Sequence, residues 1–128
     1  MSNLLRKSQQ NDAASGILIA NGLYATSIHC SYYRCLQYML HLHPHELPRG
    51  QPDDRTQGTH NVLIAIIGQK LREKDTTASV NFNNEIQKLK KLRTQADYQE
   101  PMFDASTSRE AQRMASGIVQ LFQKVLGS

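Results

Sequence analysis

The chain of 128 residues contains no tryptophan, only 6% aromatic residues and only two cysteines. With so few aromatic side chains, we expect a core of mainly Leu, Ile, Val, Met and Ala. No apolar run approaches the ~20 residues of a membrane-spanning helix, so we expect no membrane span. Residues Met1 to Gln10 also lack a long apolar run, which predicts no signal peptide and a cytoplasmic protein.

The two cysteines, Cys30 and Cys35, lie five residues apart in a segment whose pattern is helical. This offset does not bring two side chains onto one face of a helix, which argues against a disulfide within that helix. We therefore expect buried free thiols in a reducing compartment.

The excess of positive charge is small, with 15 Lys and Arg against 11 Asp and Glu and a net charge of +4. An ordinary solvated surface explains such an excess, and so does an acidic partner such as RNA, a nucleotide or an acidic protein. Charge alone does not separate these alternatives. The hydrophobic fraction of 39% is enough for one folded domain, which we assign to residues 1–128.

Apolar periodicity predicts five amphipathic helices and no strand. Their expected ranges are about 3–21, 24–42, 59–74, 79–98 and a fifth helix from Thr107 to Gly127. Thr107 and Glu110 fit a capping box at the start of this last helix. Residues 75–77 are expected to be a linker. The fold class is therefore all-α, an antiparallel up-and-down bundle of about five helices. The broad apolar faces of the second and fifth helices predict a homodimer.

Three polar side chains with chemical capacity converge in the short stretch from Leu92 to Tyr98. Arg93 and Asp97 are four residues apart and share a helix face, and Tyr98 lies one step round. One interpretation is an intrahelical ion pair beside a partly buried tyrosine. The other is a polar pocket in which Arg93 binds a phosphate, while Asp97 or Tyr98 handles a proton.

Further candidates lie on the second and third helices. His29, Tyr32, Tyr33 and Arg34 are consecutive or nearly so, and of the two tyrosines we expect one to pack inward and the other to line a groove. His60 is expected near the start of the third helix, where an anion could bind.

Two other clusters are weaker candidates. Lys88, Lys90 and Lys91 form with Arg93 a basic stripe that could follow an RNA backbone, although aromatic stacking partners are scarce. His41, His43 and His45 stand beside Glu46 at a helix end, in a spacing that does not fit a metal site. We expect neither a metal nor a cofactor.

Three motifs resemble those of the HEPN family, in particular its small stand-alone bacterial members. They are Gly22-Leu23-Tyr24-Ala25 leading into Ser31-Tyr32-Tyr33-Arg34, Thr59-His60 opening an apolar helix, and Leu92-Arg93-Thr94-Gln95-Ala96-Asp97-Tyr98, which resembles an Arg-x-x-Ala-Asp-Tyr motif. Their order and spacing agree over nearly the whole chain.

The resemblance implies a helical bundle, often a homodimer, that binds RNA, a nucleotide or a partner protein. Arg93 and Asp97 would form the binding site with Tyr33, Tyr98 and His60. It also implies association with a minimal nucleotidyltransferase, as in toxin–antitoxin systems. The alternative is a metal-independent endoribonuclease that uses Arg93 and Tyr98, with His60 as proton donor. Nuclease members carry a His shortly after the Arg, and in this chain Tyr98 occupies that place.

Overall fold

A computed structural model describes residues 2–43, 55–99 and 102–127, with the backbone alone at residues 55–57. These residues form five helices: α1 (Asn3–Ala20), α2 (Tyr24–Leu42), α3 (Arg55–Lys74), α4 (Thr76–Tyr98) and α5 (Ala105–Leu126). The expected all-α bundle is confirmed, and no strand occurs in these ranges. None of the described helices is long and apolar enough to cross a membrane.

The connection between α3 and α4 is shorter than the sequence indicated. Residues 75–77 were expected to be a linker, but α4 begins at Thr76 and only Asp75 separates the two helices. The Asp75 carboxylate accepts a hydrogen bond from the backbone N–H of Ala78 at 3.2 Å, so it caps the new helix. The linker prediction was wrong because Asp75 is an N-cap and not a loop residue.

The start of α5 also differs from the expected capping box. Asp104 is the N-cap, and its carboxylate accepts a hydrogen bond from the backbone N–H of Thr107 at 2.8 Å. This bond lowers the pKa of the Asp104 carboxyl group. Glu110 pairs instead with Arg113 on the next turn. Asp104 therefore takes the capping role that the sequence assigned to Thr107.

Helix α2 lies at the centre of the bundle and packs against all four other helices. It supplies the fully buried side chains Ile28, Tyr32, Cys35 and Met39 to the core. Contacts between Tyr32 and His60 and between Leu42 and Lys70 show that α3 runs in the same direction as α2, so these two consecutive helices depart from the expected antiparallel up-and-down order. Helix α4 runs in the opposite direction and brings its carboxyl-terminal half against the amino-terminal half of α2.

Helix α1 attaches to the bundle through small polar side chains. Ile17 is 63% exposed, whereas Ser8 and Ser15 are buried. The Ser8 hydroxyl donates to the backbone oxygen of Arg34 and the Ser27 hydroxyl donates to that of Ser15, both at 2.8 Å. Serine allows close approach of the two helices, and these hydrogen bonds satisfy its buried hydroxyl group.

The apolar faces of α2 and α5 are used inside the chain itself. Met39 of α2 and Phe122 of α5 are fully buried in one core cluster, together with Phe82 of α4. These faces are therefore not exposed surfaces to which a second copy would bind. The homodimer remains a prediction, and the apolar faces of α2 and α5 no longer support it.

Candidate functional site: an arginine enclosed by aromatic rings

Arg93 occupies a core position of α4. The inward face of this helix runs through Phe82, Ile86 and Leu89, and the same helical spacing brings Arg93 to the next inward position. Its side chain is 1% exposed and is among the largest fully buried side chains in the described part of the chain. A cation therefore stands where the helix pattern would put an apolar residue, and such burial is costly unless the charge is compensated.

Three tyrosine rings surround the guanidinium group of Arg93. Its central carbon lies 5.0 Å from the ring centroid of Tyr32, 5.5 Å from that of Tyr33 and 5.9 Å from that of Tyr98. These distances fall within the range of cation–π attraction, which offsets part of the desolvation cost. Tyr32 is fully buried, as expected of one of the two, whereas Tyr33 is half-buried and packs against the core from its edge.

The hydrogen-bonding capacity of Arg93 is largely unused. Nη1 lies 3.8 Å from Oδ2 of Asp97, which is an ion pair but too long for a hydrogen bond. Nε and Nη2 are buried and have no hydrogen-bond acceptor among the described residues. The Nε–H and one Nη2–H of an arginine are parallel, and this pair of donors fits two oxygens of one phosphate or carboxylate group.

The closer partner of Asp97 is His29 of α2. Nδ1 of His29 lies 2.8 Å from Oδ2 and 3.0 Å from Oδ1 of Asp97, although the residues are 68 apart in sequence. The His29 ring also stacks on Tyr33, with centroids 4.5 Å apart. The sequence singled out His29 but did not connect it with Asp97, because the contact joins two helices and leaves no local spacing signal.

His60 lies on the other side of the tyrosine pair. It is 5% exposed, and its Nδ1 forms a hydrogen bond of 3.0 Å with the hydroxyl group of Tyr32. Burial, together with the positive charges of Arg93 and Lys90, lowers the pKa of His60 to about 4. Burial raises the pKa of Tyr32. Both groups are therefore neutral at physiological pH.

The lowered pKa of His60 predicts a pH-dependent stability. The unfolded chain takes up a proton on His60 near its ordinary pKa of 6.5, whereas the folded chain resists protonation down to about 4. Stability is therefore fully present above pH 6.5 and falls as the pH decreases through this interval, by at most about 1.4 kcal/mol per pH unit. Urea unfolding gives the free energy of unfolding of the wild type and of His60→Asn at each pH in this range. When these free energies are plotted against pH, the slopes of the two proteins should differ by an amount that corresponds to the uptake of up to one proton. Equal slopes would contradict the assignment.

The basic residues of the stripe expected along α4 differ in their exposure to solvent. Lys90 is buried, with its Nζ donating to Oδ1 of Asn61, and burial and the charge of Arg93 lower its pKa. Lys88 and Lys91 are both exposed. The pKa of Glu110 in α5 is lowered mainly by its hydrogen bond with Arg113, and the charge of Lys88 adds a smaller contribution. The four basic residues of the stripe therefore do not form one continuous face, and Lys90 belongs to the surroundings of Arg93.

The five predicted binding residues lie in one cluster, and the structure adds three others. Arg93 contacts Tyr33, Tyr98 and Asp97 directly, and His60 lies against both Tyr32 and Tyr33. We refer to these side chains as the Arg93 cluster: His29, Tyr32, Tyr33, His60, Lys90, Arg93, Asp97 and Tyr98. Arg34 does not belong to it, because its guanidinium donates to Ser116 and pairs with Asp12.

The cluster of His41, His43, His45 and Glu46 is described only in part. Nδ1 of His41 lies 2.7 Å from the hydroxyl oxygen of Ser2, and His45 and Glu46 lie outside the described residues. Within the described ranges, no group of three or more side chains is arranged to hold a metal ion. Cys30 and Cys35 are free thiols, and burial is the main factor that raises the pKa of each.

Comparison of the chain with protein-family models, with curated proteins and with solved structures finds no match. The resemblance to the HEPN family therefore rests on the three sequence motifs alone, and the functional argument depends on the geometry of the Arg93 cluster.

Proposed function

We propose that the chain is a HEPN-like binding protein whose Arg93 cluster holds a phosphate group of a nucleotide or of an RNA strand. The observation that carries this proposal is the pair of buried donors at Nε and Nη2 of Arg93, which have no acceptor among the described residues. An unsatisfied buried donor costs about 1–3 kcal/mol. A bound phosphate would satisfy both donors at once and would recover this free energy.

The charges around the cluster favour an anion. Arg93 and Lys90 are two cationic side chains, and Asp97 is the one carboxylate that the described contacts place beside them. His60 is neutral and contributes no charge. A phosphate therefore meets a local excess of positive charge in partly desolvated surroundings, where electrostatic attraction is stronger than in water.

Tyr98 provides the route by which a ligand reaches Arg93. It is the last residue of α4 and 71% exposed, yet its ring lies 5.9 Å from the guanidinium carbon. Exposed side chains change rotamer within nanoseconds. Rotation of this ring into solvent would open the cluster on one side without unfolding any helix.

Binding has more support in this geometry than cleavage. In the alternative function, a metal-independent endoribonuclease, His60 would be the proton donor. A group with a pKa of about 4 is unprotonated near neutral pH, and its Nδ1 is already bonded to Tyr32. The ordinary pKa of a tyrosine is about 10, which makes Tyr98 a poor substitute for histidine.

The proposal is tested by titrating the protein with fluorescently labelled single-stranded RNA at low and high salt, in EDTA. We expect binding that weakens with salt, because phosphate contacts release counterions. The RNA recovered afterwards is expected to be intact. No binding at low salt would contradict the proposal, and RNA cleavage in EDTA would favour the nuclease alternative.

Tyr98→Ala should tighten the binding of inorganic phosphate. If the Tyr98 ring must leave the guanidinium for an anion to enter, its removal abolishes a competing cation–π contact of about 0.5–1 kcal/mol, a two- to five-fold change in affinity. Tyr98→Phe keeps the ring and should bind phosphate as the wild type does. Chemical-shift titration measures all three proteins. Weaker phosphate binding by Tyr98→Ala would mean that the hydroxyl or ring contacts the ligand.

The same resemblance leads us to propose a homodimer that associates with a minimal nucleotidyltransferase in a toxin–antitoxin system, and a cytoplasmic location. The free thiols of Cys30 and Cys35 agree with a reducing compartment. Light scattering of the purified chain tests the dimer, and co-purification with a nucleotidyltransferase encoded beside it tests the partner.

A further inference from the structure

His29 has one ring nitrogen fixed by a carboxylate while part of its side chain is exposed to solvent. An ionised carboxylate only accepts hydrogen bonds, so Nδ1 of His29 carries the hydrogen that it donates to Asp97 at 2.8 Å. In the neutral ring, the lone pair is therefore on Nε2. The side chain is 42% exposed, whereas that of Asp97 is 19% exposed. The pair resembles the arrangement in which a carboxylate orients a histidine for proton transfer or nucleophilic attack.

We propose that Nε2 of His29 is a phosphoryl acceptor, which takes the phosphoryl group of a small activated donor such as a phosphoramidate or an acyl phosphate. This inference rests on the proposed function, because Arg93 would hold the oxygens of the incoming group. It adds a covalent step, a reacting atom and a class of donor to a site that otherwise only binds.

The step balances with phosphoramidate as the donor. The Nε2 lone pair attacks phosphorus, the phosphorus–nitrogen bond of the donor breaks, and ammonia leaves with the bonding electron pair and the protons it already carries. The product is a phosphoimidazolium ring that retains its hydrogen on Nδ1. Nothing is oxidised or reduced.

Two neighbours stabilise the charges that this step creates. The ring gains positive charge when Nε2 binds phosphorus, and the Asp97 carboxylate accepts the Nδ1–H and stabilises that charge. Oδ2 of Asp97 lies 3.8 Å from Nη1 of Arg93, so the guanidinium group is close to the same carboxylate. In this proposal, the unpaired Nε and Nη2 donors of Arg93 would hold the oxygens of the incoming group once the Tyr98 ring has moved aside.

His60 and His41 lack the combination of an exposed ring with a carboxylate bonded to Nδ1. His41 serves as the matched control for His29. His60 is 5% exposed and bonded to Tyr32. His41 is on the same helix as His29 and half-buried, and its Nδ1 lies 2.7 Å from a neutral hydroxyl group, that of Ser2. Among the described residues, His41 therefore differs from His29 chiefly in having no contact with a carboxylate or an arginine.

The test is incubation of the full chain with potassium phosphoramidate at about pH 8, where an ordinary histidine is neutral. Phosphorus NMR and peptide mass spectrometry follow the phosphorylation of each histidine. We expect His29 to react at least about ten times faster than His41, and Asp97→Asn to remove this preference, as loss of an orienting carboxylate does elsewhere. His29→Gln should abolish the fast phase.

Equal rates at His29 and His41, or an unchanged preference in Asp97→Asn, would overturn the inference. Binding of adenosine monophosphate to the same samples is measured in parallel. Binding without preferential reaction at His29 would remove the phosphoryl acceptor and leave the proposed function intact. A fast reaction at His29 that depends on Asp97 supports the inference, even where the nucleotide does not bind.

Discussion

Replacement of Arg93 by methionine is expected to weaken the binding of RNA and nucleotides strongly without loss of stability. The fork of Arg93 supplies the charge-assisted contacts in the proposed site, each worth about 1.5–3 kcal/mol, so affinity should fall by ten-fold to more than a hundred-fold. Methionine is apolar, unbranched and flexible, so it can replace the buried stem of the arginine without stranding donors. Titration with labelled RNA measures the affinity.

The stability of this variant is the more distinctive result. A buried cation with unpaired donors at Nε and Nη2 is costly, and replacement of buried charges by apolar residues is often neutral or stabilising by about 1–4 kcal/mol. Asp97 is not stranded by the change, because it keeps its hydrogen bonds to His29. We therefore expect the urea midpoint to stay the same or to rise, which would indicate that Arg93 serves function at the expense of stability.

Two control variants separate shape from charge. Arg93→Lys keeps a positive charge but loses the parallel donors, so its affinity should lie between those of the wild type and Arg93→Met. Lys88→Met removes one charge from the same helix on the side near Glu110, and it should bind nearly as the wild type does. Equal loss of binding in Lys88→Met and Arg93→Met would mean that general charge, and not the cluster, determines affinity.

Phe122→Ala should be the most destabilising of these substitutions. Phe122 is fully buried in α5, with its ring 5.3 Å from that of Phe82 and 5.7 Å from that of Tyr38. Truncation of a buried phenylalanine leaves a cavity and costs about 3–5 kcal/mol, a large part of the stability of an ordinary domain. Urea unfolding followed by circular dichroism measures the loss.

Phe103 is the matched control for this substitution. It is half-buried in the connection before α5 and packs against the edge of the same core. Phe103→Ala removes the same atoms from a less enclosed position, so its cost should be clearly smaller. Equal costs for the two variants would contradict the assignment of Phe122 to the centre of the core.

The fold could be predicted from local patterns because each helix carries its own apolar face. The bounds of α2 agree with the sequence prediction, whereas α3 begins at Arg55 and not near residue 59. The starts of α4 and α5 could not be predicted to the residue, since Asp75 and Asp104 act as caps through a hydrogen bond that composition does not reveal. That α2 and α3 run in parallel depends on tertiary contacts.

The sequence singled out the residues of the Arg93 cluster but not their geometry. The spacing of Arg93 and Asp97 on one helix face indicated a direct pair, yet Asp97 is closer to His29 and Arg93 is buried among tyrosine rings. Arg93 is buried because it lies four residues after Leu89 on the inward face of α4. The helical spacing indicates this position, but a charged residue is not normally expected to be buried. Contacts between helices, such as that of Tyr32 with His60, leave no trace in local spacing.

The most direct test of the central claim is the NMR signal of the Arg93 Nε–H group during titration of the wild-type protein with adenosine monophosphate. A phosphate that accepts from Nε and Nη2 should shift this signal downfield in a saturable manner and slow its exchange with water. The signal is identified by its absence in Arg93→Lys. An unchanged Arg93 signal at nucleotide concentrations that saturate other resonances would contradict the claim that this arginine is the anion-binding group.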